Sequence, residues 1–168
     1  MDPAELTDIF EIQQLRSTYS RCLDRPDVDA LVELFTTDAE CDFGPYGVWH
    51  GHQELHAGFT DGSSSPDDHF LTMHVTTNHV IENLNRLNAT GSCYLLGQML
   101  SQHPSPTGFL GRYDDDYRKV DGHWRFSKVR MTFLWSSDSG RIEGDKLPEK
   151  QQSFLDARAR AGAVPRSD

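Results

Sequence analysis

The segment Leu71-Thr-Met-His-Val-Thr-Thr-Asn-His-Val-Ile81 carries β-branched residues at alternating and adjacent positions, which favours an extended chain. Read as a strand, it places Met73, Val75, Thr77 and His79 on one face and His74, Thr76, Asn78 and Val80 on the other. A strand with branched residues on both faces is expected to be buried. Yet one of these faces carries an imidazole, a hydroxyl and an amide in a row. Buried polar groups need partners, so the row points to a polar-floored cavity. Taken alone, His74 fits a satisfied structural histidine as well as a functional one. The rest of the chain has to decide between them.

Downstream, a period of two persists, predicting strands over 70–82, 89–102, 108–120 and 123–135. Asp121-Gly122 between the last two is a strong hairpin signal. Upstream, the pattern is helical. Thr7 is a candidate N-cap, and Ile9, Ile12, Leu15, Tyr19, Cys22 and Leu23 recur at helical spacing, ending before Pro26. Pro26 opens a second helix with Val28, Leu31, Leu34 and Phe35 inward. A short strand over 39–43, a turn at Gly44-Pro-Tyr-Gly47, a partner strand over 48–50 and a third helix over 51–59 follow. Residues 61–68 read as a loop. Helices first and a meander after them define an α+β class: a cone-shaped, strongly curved, mostly antiparallel sheet wrapped around N-terminal helices, its mouth a pocket. The expected organisation is one domain over residues 1–140. A polar tail over 141–168 follows, partly disordered or holding one short helix.

The chain has 168 residues and a formal charge of −10. Residues 1–140 hold ten basic against 21 acidic side chains, net −11, which argues against nucleic acid or an anionic membrane as partner. Three cysteines without a C-x-x-C pair indicate free thiols in a reducing compartment. No apolar run is long enough to span a membrane, and the acidic N-terminus is unlike a signal peptide. A cytoplasmic location is the expectation.

Several motifs fall in a familiar order: Tyr19-Ser-Arg-Cys-Leu-Asp24, Leu34-Phe-Thr-Thr-Asp38-Ala39, His74 with Asn78, Gly111-Arg-Tyr-Asp114, and Asp121-Gly-His-Trp-Arg-Phe126. In this the chain resembles SnoaL-like proteins of the nuclear transport factor 2-like superfamily from about Thr7 to Met131. The pattern is most similar to the group containing scytalone dehydratase, bile-acid dehydratase and hexachlorocyclohexane dehydrochlorinase. The resemblance implies a cofactor-independent elimination, with Asp24 and His74 as a catalytic dyad and Tyr19 as a further pocket group.

The chemistry stands independently of that likeness. Elimination needs a base to remove a proton and a donor to assist the leaving group. Neutral His74 suits the base, and a carboxylate on its other ring nitrogen would fix the tautomer and stabilise the imidazolium. Asp24 is suitable in type; its alternative is a solvated residue before a proline. Tyr19 lies about 140° around the helix from Asp24, so the two line a mouth without standing side by side. Its alternative is a core aromatic. Asn78 could hold an oxyanion or tie down backbone. The apolar walls would come from Phe43, Trp49, Phe59, Met73, Phe109 and Met131, each of which also fits plain core packing. A rival cluster, His50-Gly-His-Gln-Glu-Leu-His56, lacks H-E-x-x-H spacing and further ligands, so no metal and no cofactor is expected. Asp114-Asp-Asp116 is placed partly on a solvent face at a strand's outer edge.

Two function classes follow. One is a lyase (dehydratase-type) or isomerase acting on a small hydrophobic, cyclic hydroxylated substrate, or a hydrolase or cyclase using the same pocket. The other is a non-catalytic ligand-binding or assembly module. Outward apolar residues, taken as Leu95, Val129 and Leu134, lead to the expectation of a homodimer or homotrimer.

Overall fold

A computed structural model describes residues 2–25, 27–63, 71–100 and 107–137. Helix α1 spans Pro3–Asp24, five residues earlier at its start than Thr7 would set it. Asp2 is the N-cap, accepting from the Ala4 N–H at 3.2 Å, with Pro3 in the first turn. Asp-Pro is a stronger helix start than Thr7, since proline's fixed φ suits the first helical position. The Thr7 hydroxyl instead donates back to the Pro3 carbonyl. The helix stops at Asp24, as expected. Helix α2, Val28–Val32, is a short turn capped by Asp27; Pro26, expected to open it, lies outside the described residues. Helix α3, Gly51–Ser63, is longer than expected.

Six strands form one sheet: β1 Phe35–Asp42, β2 Val48–His50, β3 Leu71–Leu84, β4 Asn88–Leu100, β5 Thr107–Val120 and β6 His123–Ser136. The order is β2-β1-β6-β5-β4-β3. All neighbours are antiparallel except β1 with β6, which run parallel. Strand β1 begins at Phe35 rather than 39, because Phe35 and Ala39 are both wholly buried and β6 offers Phe126 as a partner. The hairpin at Asp121-Gly122 forms with both residues at positive φ, as a two-residue primed turn requires. The expected tail over 141–168 lies outside the described residues.

The helices pack on the concave face of this curved, unclosed sheet, giving the α+β cone. Its base is filled by rings: Tyr19, Phe35, Tyr113, Tyr117 and Phe126 are buried and in mutual edge or tilted contact. Two outward assignments need correction. Leu95 and Val129 are core residues, since the odd positions of β4 and the Val129 and Met131 positions in the middle of β6 face the helices. The outward apolar residues are instead Val75, Leu96, Leu110 and Trp135, one on each of four adjacent strands and in register with one another.

Candidate active site

Strand β3 is a sheet edge, so the N–H groups on its outer side have no strand to pair with. The C-terminal end of α1 comes against this edge and supplies a partner. The Asp24 carboxylate accepts the His74 backbone N–H at 3.1 Å from each oxygen and the Thr72 hydroxyl at 3.3 Å. Its Oδ1 also lies 2.7 Å from His74 Nδ1. The Asp24 and His74 side chains are 25% and 16% exposed, so both are partly sheltered. A carboxylate this close to Nδ1 takes the imidazole's proton donor, leaving the Nε2 lone pair free. Nε2 has no hydrogen-bond partner among the described residues. Such a group can remove a proton, and its charged form is stabilised where it arises.

A lateral row explains how the imidazole is walled. His74 pairs with Gly97, and Gly97 with Phe109, across β3, β4 and β5. A Cβ at Gly97 would lie 1.9 Å from Phe109 Cζ, so glycine is required for the phenyl ring to lie there. Lying there, the ring meets His74 edge-on, 6.0 Å between centroids, and continues to Phe133 at 5.8 Å. A second group of rings joins Phe43, Trp49 and Phe59, with centroids 4.9 to 5.6 Å apart, and Phe59 reaches Tyr19. Trp49, Phe59 and Phe133 are only partly buried.

The structure therefore brings together Asp24, His74 and Phe109, and separately Phe43, Trp49 and Phe59. Met131 is buried in the core. Three expected residues stand elsewhere. Tyr19 is 2% exposed, sealed in the aromatic base, where burial raises its hydroxyl pKa well above the usual value and Tyr113 is its hydrogen-bond partner. Met73 is 57% exposed on the convex face, as its opposite parity to His74 dictates. Asn78 is exposed at a bulge with φ +53°, a backbone region that asparagine tolerates, and accepts from the Thr77 hydroxyl. That bulge adds a residue and inverts the alternation, so His79, not Asn78, turns inward.

Inward, His79 Nε2 lies 3.0 Å from the Tyr117 hydroxyl, which donates to Asp115 at 2.8 Å. Asp115 in turn lies 2.5 Å from Arg16, both side chains almost wholly buried at 0% and 1%. The Arg16 guanidinium lies over the rings of Tyr19, Tyr113 and Phe126 at 4.2 to 4.6 Å. Burial, then the Arg16 charge, pushes the His79 pKa down to about 4, so this imidazole is neutral near pH 7. With the Tyr117 hydroxyl donating to Asp115, Nε2 is left to donate to the Tyr117 oxygen. Asp115 corrects the expectation for its acidic run: β5 is a central strand and Asp115 shares parity with Tyr113 and Tyr117. Parity could have revealed it, as could Arg16's place in the Ile12–Tyr19 stripe and Thr72's on the His74 face. The bulge at Asn78 left no sequence signal.

The histidines of the rival cluster point to structural partners: His52 Nε2 meets the Phe35 carbonyl and His56 Nε2 meets Asp29, each at 3.1 Å. No group of three metal-ligating side chains occurs among the described residues. A shallow groove of about 270 Å³ between α1 and β6, lined by Phe10, Gln14, Leu34 and Trp124, is separate from the pair.

An α+β cone with a carboxylate and an imidazole at its open edge defines a broad class of small pocket proteins. Within it, the profile of the SnoaL-like domain matches residues 4–130, and the chain belongs to that family, in the nuclear transport factor 2-like superfamily. The fold is similar to a protein described as a candidate scytalone dehydratase from Novosphingobium aromaticivorans, at 20% identity and TM-score 0.76, covering 88% of this chain and 100% of that one. It is similar also to a hexachlorocyclohexane dehydrochlorinase of the LinA type 2 form, at 21% identity and TM-score 0.69, covering 86% and 95%. A third likeness is to a protein described as a candidate aromatic ring hydroxylase from N. aromaticivorans, at 24% identity and TM-score 0.71, covering 80% and 92%. No curated protein sequence matches the chain. No described helix is long and apolar enough to cross a membrane.

Proposed function

We propose that the protein is a cofactor-independent lyase of the dehydratase type, with His74 as general base and Asp24 as the carboxylate that orients it. The observation carrying this reading is the 2.7 Å contact between Asp24 Oδ1 and His74 Nδ1, made at the open edge of the sheet beside an aromatic wall. Nε2 takes a proton from a carbon next to an electron-withdrawing group, and the electron pair left behind expels hydroxide or halide. Protonated His74 then returns its proton to a departing oxygen or to water. Phe109 and Phe133, with Trp49 and Phe59, favour a small hydrophobic, cyclic substrate. Two of the similar structures are described as a dehydratase and a dehydrochlorinase, which are eliminating enzymes. Tyr19, sealed in the base, acts as floor of the pocket rather than as proton donor, and Met73 and Asn78 have no part in it. Isomerisation would use the same proton abstraction with return to a different carbon.

The test is incubation with a panel of small cyclic β-hydroxy ketones and halogenated rings in deuterated buffer, followed by mass spectrometry. Loss of water or halide is expected, at a rate indifferent to chelators, since His74 and Asp24 need no ion. Inhibition by chelator with recovery on adding a divalent cation would instead transfer the chemistry to His52 and His56. Binding without turnover would favour the non-catalytic module. The outward row of Val75, Leu96, Leu110 and Trp135 is proposed to be covered by further copies of the chain, as a homodimer or homotrimer.

A further inference from the structure

The two halves of the Asp24–His74 pair come from different elements, and both elements are tied to one buried carboxylate. Arg16, two turns before Asp24 on α1, reaches Asp115 on β5; His79, five residues after His74 on β3, reaches Asp115 through the Tyr117 hydroxyl. We propose that Arg16, Asp115, Tyr117 and His79 form a positioning network, anchored on Asp115, that fixes α1 against β3 and so holds Asp24 on His74. Its structural consequence stands by itself; its catalytic one rests on the reading above.

Stability does not account for the network. Two charges taken out of water meet a desolvation cost that their attraction commonly only offsets, and well-packed apolar residues of similar volume hold a core at least as well. Arg16 has Nε, Nη1 and Nη2 all buried without a hydrogen-bond partner, Nη2 meeting Asp115 Oδ1 as a charge contact alone, and Ser20, one turn further along α1, has an orphaned hydroxyl. An apolar residue at Arg16 would remove the orphaned nitrogens.

Direction is what the charged pair adds. The inward Ile12, Leu15 and Cys22 of α1 make contacts that tolerate rotation of the helix. Tyr19 bonds Tyr113 and, near the start of the helix, Asp8 accepts from Lys119 and Trp124, so Arg16 adds direction in the half of α1 that ends at Asp24. A roll of ~20° moves a side-chain end that lies ~6 Å from the helix axis by about 2 Å. That is enough to break a hydrogen bond of ordinary length. The guanidinium, fixed at its edge by Asp115 and on its faces by three rings, opposes such a roll. Tyr117 and His79 apply the same restraint to β3, which as an edge strand has a neighbour on one side only.

The probe is already present in the pair. The His74 backbone N–H donates to Asp24, so its hydrogen exchange reads the helix-to-strand contact without any substrate. The test replaces the buried pair with apolar residues, Arg16→Met with Asp115→Leu, and follows thermal melting and amide exchange by NMR. A variant that melts at or above the wild type while the His74 amide exchanges at least tenfold faster, with the Tyr113 and Val129 amides unchanged, is the expected result. The same melting with unchanged exchange at His74 overturns the proposal. Should the double variant melt below the wild type, Tyr117→Phe decides, because it keeps the ring and the Arg16–Asp115 pair and removes only the hydroxyl that joins His79 to Asp115. Faster exchange at His74 then supports the network and wild-type exchange overturns it. Because no turnover is measured, failure here is distinct from failure of the functional reading.

Discussion

At the scale of single residues, what matters is which nitrogen of His74 is left free. Asp24 spends its oxygens on Nδ1, the His74 backbone N–H and the Thr72 hydroxyl, so carboxylate and imidazole are fixed to backbone as well as to each other. Gly97 is as specific a requirement. Its substitution by alanine drives a methyl group into the Phe109 ring, which has to move away from His74. Overpacking of this kind costs on the order of 1–3 kcal/mol. Gly97→Ala is therefore expected to lower the denaturation midpoint and to raise KM for any substrate held against Phe109. An unchanged midpoint in urea would show that the ring has room to spare.

At the scale of elements, β3 shows what a sequence can and cannot disclose. Alternation placed His74 inward, and the end of α1 at Asp24 was set by the proline that follows. The helix-then-meander order gave the class of fold, and Asp121-Gly122 gave the hairpin. Alternation failed beyond Thr77, because a bulge inserts one residue at Asn78 and exchanges the faces. It failed for Leu95 and Val129 because curvature and irregular register decide which parity faces the helices, and neither is local. Arg16 and Asp115 were masked by their charge, which makes burial improbable until a partner far along the chain is known.

The same element carries a pH dependence. His79 is held neutral, with its pKa lowered to about 4 by burial and then by Arg16. An unfolded chain takes up this proton near pH 6.5. Between those values the unfolded state binds more protons, so the stability contributed by His79 is complete above about pH 6.5 and declines as pH falls towards 4. The loss is on the order of 2 kcal/mol. Urea melts at pH 7 and pH 5 are expected to differ by about that amount in the wild type and by less in His79→Gln. An equal pH dependence in both proteins would contradict the assignment.

At the scale of the whole molecule, the cone has two very different faces. The concave one holds the aromatic base and the Asp24–His74 pair. The convex one shows Val75, Leu96, Leu110 and Trp135 as a continuous exposed row across four strands. Covering that row with further copies predicts a dimer or trimer by light scattering at micromolar concentration, and dissociation in Leu110→Glu. A wild-type monomer under those conditions would contradict it.

The central claim is that His74 and Asp24 act as one unit. Once a turned-over substrate is in hand, kcat/KM for His74→Ala, Asp24→Asn and the double variant tests it most directly. Loss of a general base lowers the rate on the order of 10²- to 10⁴-fold. Asparagine can neither stabilise the imidazolium nor enforce the tautomer, so its effect is expected to be comparably severe. The double variant is expected to fall no further than the worse single one. Full activity in His74→Ala, or losses that multiply in the double variant, would contradict the account.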